Sequence, residues 1–507
     1  MKRRAGFGIL VALASCGLAT CQTTANGTPE ARAREVEQNL TGMYFLEGES
    51  SQHATLAERM ADLHVPGVTI AAIRDGEIDW ARGYGVVTLG GPAVTPSTLF
   101  SVESMSKPVT ALAVLKLYEQ GKIDLDRNVN DYLKRWKLPD STLPGPKTVT
   151  VRQLLTHTSG IGTHSGELYD TSKPLPTLLT DLNGAPPSKN SAVRVEATPG
   201  SKFQYANGGY EVLELLIEDV SGESFASFVK KTVLRPADMK DSHYDVPTSE
   251  QLSAKAATAY FNDQAIRPNK YYNSNFAAGG LWSTATDMAK LLIEIQREYD
   301  GKSSRILKQS TIRQMLAPGP QVMPGFLQGL GFEIGGKPGA HFMEHGGSGI
   351  FQDEMVAYFQ GKRDGLVVMA SGSNSGILVK EILRSAATAY GWPDYQPQSH
   401  RFLPMDASLI SKFVGDYGPL RFEASPAGLA VEMPAGSVPE RVYRDGPGHF
   451  FLLSGPQEFT FTNDENGHMQ SLQFVTPLVN LHWQRATTTW AKPRRVHVCH
   501  DKPAFRD

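Results

Sequence analysis

Ser104 and Lys107 stand three positions apart in "FSVESMSKPVTALAVL", the stretch from Phe100 to Leu115. A serine hydroxyl is a weak nucleophile until a neighbouring base takes its proton. On a helix, positions i and i+3 share a face about 5–6 Å apart, so an amine at that spacing reaches the hydroxyl. A helix N-terminus adds free N–H groups and a positive dipole end, which favour developing negative charge. The same pair also reads as a capping serine followed by a surface lysine. Two features favour chemistry. Lys107 precedes Pro108, a residue tolerated near a helix start. The run that follows is apolar, which turns the amine toward a pocket rather than a solvated face. The other Ser-x-x-Lys, Ser227/Lys230 in "GESFASFVKKTVL", reads as a solvated helix face.

Polar partners are available further along. Tyr-x-Asn occurs at Tyr205/Asn207, Tyr260/Asn262 and Tyr271/Asn273. The first lies in "PGSKFQYANGGYEVLELL", where a Pro-Gly turn and a short strand lead through glycines into a helix. His-x-Gly occurs at His164/Gly166 and His345/Gly347. The second lies between two strand patterns in "FMEHGGSGIFQDEMVAYF", and a glycine pair there lets backbone approach a ligand closely. His157, in "LLTHTSGIG", could be taken for a triad histidine. Gly-x-Ser-x-Gly and His-Glu-x-x-His are absent from the sequence, which argues against an α/β-hydrolase elbow and against metal catalysis. No cofactor is expected.

The elements that must hold these residues follow from periodicity. "VTIAAIRDGEIDWARGYGVV" (68–87) predicts two strands joined at Asp75-Gly76. "SKPVTALAVLKLYEQGKIDL" predicts a helix buried on most sides, ending near Gly121. "GYEVLELLIEDVSGESF" and "STATDMAKLLIEI" predict further helices. "GLGFEIGG", "QDEMVAYFQ" and "DGLVVMASGSN" predict strands, and "GILVKEILRSAATAYG" a closing helix. Strands at both ends with helices between them predict an α+β domain whose sheet is built from both ends of the segment. Beyond "WPDYQPQSHRFLP", short alternating strands predict a small antiparallel β domain, sandwich or barrel.

The chain has 507 residues, enough for several domains, and a net charge of −2. That balance gives no footing for a nucleic-acid partner. Lys2, Arg3 and Arg4 followed by "AGFGILVALAS" predict an export signal too short to span a bilayer. "LASC" ending at Cys16 fits a lipoprotein box, "LATC" ending at Cys21 fits less well, and plain secretion is the alternative. Cys499 stands by itself in the body of the chain, so no internal disulfide framework is expected. The expected divisions are a signal at 1–21, a tether at 22–50, a hydrolase domain at 51–392, a linker at 393–404 and a β domain at 405–507.

Taken in order and setting, the motifs resemble the serine β-lactamase and penicillin-binding protein superfamily. The likeness is strongest to its class C-like branch, which also holds D-aminopeptidases, D,D-peptidases and carboxylesterases. "FSVESMSKPVTALAVLKLYEQGKIDLDRNV", "VTVRQLLTHTSGI", "PGSKFQYANGGY", "AAGGLWSTATDMAKLL" and "EHGGSGIFQ" carry it over roughly residues 50–392. The tail resembles, more loosely, the lipocalin-like domains attached to some members. The resemblance implies an antiparallel sheet flanked by helices and an acylated nucleophile at Ser104. It implies that Lys107 takes the serine proton or stabilises a neighbouring base. Tyr205 becomes a candidate base as a phenolate, which requires cationic neighbours to lower its pKa. Asn207 would orient Lys107 and contact substrate, and the N–H groups of Ser104 and Ser348 would form the oxyanion hole. His345 stands where true β-lactamases carry lysine, which weakens the case for an efficient β-lactamase. The resemblance also implies that His157 is a structural loop residue rather than a triad histidine.

The implied function is an exported serine hydrolase of amide or ester bonds: peptidase, esterase or weak β-lactamase. Its partners would be small-molecule or peptide substrates, cell-wall fragments among them, and a membrane if Cys16 or Cys21 is lipidated. Its place would be the periplasm or outer envelope. The alternatives are a non-catalytic receptor for penicillin or peptidoglycan fragments, and a protein whose main business is ligand binding in the C-terminal β domain.

Overall fold

The computed structural model describes residues 27–486, apart from 50–52, 163–166, 245–253, 262–263, 373, 436, 438, 464–468 and 477–479. Cys16, Cys21, Cys499, Asn262 and the His164/Gly166 pair lie outside the described residues.

The strands Gly67–Arg74 and Glu77–Gly85 form the expected hairpin, with Asp75 (φ 51°) and Gly76 (φ 80°) both left-handed at the turn. They continue an eight-stranded antiparallel sheet. Its order is Gln321–Met323, Phe326–Gln328, Glu333–Gly335, Phe342–Ser348, Phe351–Tyr358, Gly365–Ser371, Gly67–Arg74, Glu77–Gly85. Val68 pairs with Ala370 and Ile70 with Val368, so the two ends of the segment meet in mid-sheet. Helices cover both faces, which explains why "VTIAAI" and "GLVVMA" are continuously apolar rather than alternating. Ala71, Ile73, Val367 and Met369 face a core shared with the helices Ser106–Glu119, Asn207–Ser221 and Ala285–Tyr299. Val68, Ile70, Leu366 and Val368 face a second core under the helix Ser375–Ala389.

Residues 29–46 depart from the expected tether. Pro29–Gln38 is a helix, capped by Thr28, with Ala33 and Val36 fully buried. Its helical spacing presents an apolar stripe to the sheet and to the Ser375–Ala389 helix, where Ser385 Oγ donates to Val36 O at 2.8 Å. Arg32 forms a buried ion pair with Asp79 on the Glu77–Gly85 strand. Polar "PEARAREVEQ" conceals this stripe because few of its residues are strongly apolar. The expected linker is also held: Gln398–His400 pairs in parallel with Tyr44–Leu46.

Residues 415–484 form eight consecutive antiparallel strands with their own core. A Tyr417–Arg485 bridge and a hydrogen bond from Ala486 N–H to Asp416 O (2.9 Å) bring the first and last strands together, making a barrel rather than a sandwich. Among the described residues no helix is long and apolar enough to cross a membrane.

Candidate active site

Ser104 sits in a 3-10 turn, Glu103–Met105, that runs directly into the Ser106–Glu119 helix. Its side chain caps nothing, since the helix has no side-chain cap. Eleven of the fourteen residues of that helix are buried, Lys107 among them; the capping-serine and surface-lysine reading therefore fails. The Lys107 amine lies 3.0 Å from Ser104 Oγ and donates to Ala278 O at 2.9 Å. Ala278 belongs to the short helix Phe276–Gly279, which is fixed from two sides. Glu214 accepts from the Ala277 N–H (3.0 Å), and Thr110 Oγ1 donates to Ala277 O (2.8 Å).

Tyr205 completes the cluster. Its ring centroid is 4.7 Å from Lys107 Nζ, and its hydroxyl faces Ser104. His157 stacks on that ring at 4.3 Å and accepts the Ala206 N–H on Nδ1 at 3.2 Å. It thus positions the Tyr205 segment from a loop where its own φ is 54°.

Burial decides the protonation of these groups. Desolvation pushes Lys107 down to about 7, against the opposing pull of Glu103 and Glu211. Desolvation also raises the Tyr205 phenol, with the Ser104 side chain opposing it. The phenolate expected from the family resemblance is therefore not the form present near neutrality; Tyr205 is a neutral hydroxyl. His345, buried on the Phe342–Ser348 strand with its ring 6.5 Å from that of Tyr205, is lowered to about 3 by burial and by Lys107. It is neutral, and its Nδ1 donates to Gly346 O at 2.8 Å.

The Glu333–Gly335 strand pairs with this strand only as far as Glu344. Residues 345–348 therefore pair on one side, with 352–355, and present an open edge on the other. Ser348 is exposed at the end of that edge, with its Oγ accepting from Gln352 Nε2 at 3.1 Å.

Two assignments need revision. Lys107 is held by Ser104 and Ala278, not by Asn207; Asn207 stands at the start of the Asn207–Ser221 helix with Oδ1 buried and without a hydrogen-bond partner. Gly347 was expected to let a ligand approach. A Cβ there would instead lie 2.7 Å from Val102 O and 3.1 Å from Asp353 Oδ2. The glycine lets the strand pack on the nucleophile turn.

The remaining motif copies serve structure. Tyr260 accepts the Leu89 N–H at 2.8 Å, Asn273 accepts the Asn275 N–H at 3.0 Å, and Ser227 and Lys230 are exposed. Sequence reasoning missed Glu103, Glu211, Asp353 and the Ala278 carbonyl. Glu103 stands directly before Ser104 and was visible there; the others give no sequence signal.

Comparison with known proteins accords with this geometry. Residues 53–387 match the family model for Beta-lactamase. Penicillin-binding protein 4* of Bacillus subtilis is 26% identical over 442 residues, covering 81% of this chain and 93% of that protein. Protein flp of Staphylococcus aureus is 28% identical over 183 residues, 36% of this chain and 35% of its own. Two solved structures share the fold. The octameric penicillin-binding protein homologue from Pyrococcus abyssi has a TM-score of 0.57 at 23% identity, covering 85% of this chain and 98% of that one. EstCE1, a hydrolase with promiscuous acyltransferase activity, has a TM-score of 0.55 at 19% identity, covering 72% and 99%. By the span of that match and by its relatives, the chain belongs to the beta-lactamase family, among the serine hydrolases of the β-lactamase and penicillin-binding protein superfamily.

Proposed function

We propose that this protein is an exported hydrolase that cleaves ester or amide bonds through an acyl-enzyme on Ser104. The observation that carries this reading is the buried Lys107 amine, 3.0 Å from Ser104 Oγ and shifted to about 7. Near neutrality much of it is unprotonated, so its lone pair takes the Ser104 proton as Oγ attacks the acyl carbon. The N–H groups of Ser104 and Ser348 stabilise the oxygen that becomes negative. The Tyr205 hydroxyl, which faces Ser104, passes a proton from Lys107 to the leaving group. Water then repeats the sequence to release the acid.

A neutral His345 offers no fixed cation to a substrate carboxylate. This favours uncharged esters and amides over β-lactams, with cell-wall peptides as a substrate class to be tried beside them. Export, lipidation at Cys16 or Cys21, and a periplasmic or outer-envelope location belong to the same reading.

The test is labelling of Ser104 by a fluorophosphonate or a fluorescent penicillin, read by peptide mass, together with p-nitrophenyl ester turnover. Both are expected in the wild type and neither in Ser104→Ala. Labelling without turnover would identify a receptor instead; no labelling of folded protein would reject Ser104 as the nucleophile.

A further inference from the structure

Two buried acids beside the nucleophile have no part in the chemistry above. Glu103 opens the turn that carries Ser104, at φ 45°, a left-handed conformation unfavourable for a residue with a Cβ. Its side chain runs beneath the hairpin that holds Ser348. A Cβ on Gly349 would lie 2.5 Å from Glu103 Oε2, and one on Gly347 3.2 Å from Glu103 Cβ. The carboxyl group faces the Phe351 N–H and the Ser101 side chain. Asp353, across the sheet register from Gly347, is buried on the same side. Its oxygens make no hydrogen bond of ordinary length, and the Ala370 N–H is the donor that faces them. The Asp353 carboxyl thus lies beside Gly347 and the Glu103 carboxyl beside Gly349, the latter within electrostatic reach of Lys107.

We propose that Glu103 is a positioning residue of this site, its charge coupled through space to that of Asp353. Its side chain holds the Ser348–Phe351 hairpin at a set distance from the nucleophile turn, and the charge of the pair sets the basicity of Lys107. The proposal rests on Ser104 being the acylated residue. Two buried carboxyls that feel each other's charge disfavour ionising together. Burial and the nearby acids Glu103 and Glu354 hold Asp353 well above the usual range. Burial raises Glu103 to about 7, with Ser101, Lys107 and Phe351 opposing. Around Lys107 the other ionisable groups are Glu211, His157, His345, Tyr205 and Tyr210. When the negative charge sits on Glu103 it favours the ammonium form of Lys107; when it sits on Asp353 that support recedes. Glu103→Gln therefore lowers the pH at which Lys107 becomes a base. Asp353→Asn removes the competing carboxyl, leaves the charge on Glu103 and raises that pH.

The experiment is the rate of Ser104 labelling by a fluorophosphonate from about pH 5 to about pH 9.5 in full-length wild type, Glu103→Gln and Asp353→Asn, with thermal melting to report folding. The midpoint is expected to fall in the first variant and rise in the second, each by roughly half a pH unit. A purely structural role would lower the melting temperature and leave both midpoints in place. Midpoints equal to wild type, or moving in the same direction, with Ser104 still labelled, overturn this proposal and leave the acyl-enzyme reading standing. Failure to label the wild type overturns both. If Glu103→Gln does not fold, a rise or no rise in Asp353→Asn decides.

Discussion

Behind Ser104, the buried positions hold Lys107, Glu103, Glu211, Glu214 and Asp353. At the same depth in the C-terminal barrel stand Phe413, Tyr417, Phe422, Phe450, Phe459 and Phe461, packed edge to face with ring centroids 4.7–5.8 Å apart. Ser471 is the polar residue buried with them among the described residues. Phe413 enters this core from the helix Ala407–Phe413 and fills it from one end. An aromatic pair adds about 0.5–1.5 kcal/mol beyond the area it buries, whereas a buried ionisable group costs stability unless fully paired. The barrel core is built for packing. The core behind Ser104 gives up stability to keep an amine dry, as the proposed chemistry requires. The difference separates a functional interior from a structural one without reference to any relative.

Four changes break or sharpen this contrast. Lys107→Met replaces the buried amine by an apolar chain of similar length. Ester kcat/KM should fall by about 10³-fold or more, while the melting temperature at pH 6 rises; turnover at the wild-type rate would remove the basis of the contrast. Phe461→Ala opens a hole in the barrel core and should cost about 3–5 kcal/mol in denaturant titration, with ester kcat unchanged. A parallel loss of kcat would show instead that the barrel shapes the catalytic cleft. Gly347→Ala drives a methyl group toward Val102 O and should reduce kcat about 10–100-fold through displacement of the strand that carries Ser348; an unchanged kcat would free Gly347 of any part in the alignment.

The smallest effect is in pH. Lys107 titrates near 7 in the folded state and about 10.4 unfolded. Between these values the unfolded chain binds more protons, so stability gains with rising pH; below 7 the full penalty of the buried ammonium is present. The stability difference between Lys107→Met and wild type should shrink from pH 6 to pH 9. A constant difference would mean that the amine is not desolvated.

Much of this architecture was legible in the residues. Asp75-Gly76 announced its hairpin, and the run after Lys107 its buried helix, because local turn chemistry and periodicity dictate both. Ser104, Lys107 and Tyr205 were named from their settings and do converge. The helix Pro29–Gln38 was not legible, since its stripe is short and its anchor, Asp79, lies on another element. Asn207 was given the task that the Ala278 carbonyl performs, because a backbone acceptor leaves no mark in residue type.

The sequence by itself determined most of the helices and strands between the tether and the linker, which residues have reactive side chains, and that a serine and an amine share a turn. Only the tertiary structure decided that the amine is dry, that burial raises the Tyr205 phenol, and that Glu103 and Asp353 are both buried beside the 347–349 turn. The physical reason is that proton affinity depends on the surrounding dielectric and on charges a few ångströms away. Chain segments far apart in sequence supply both.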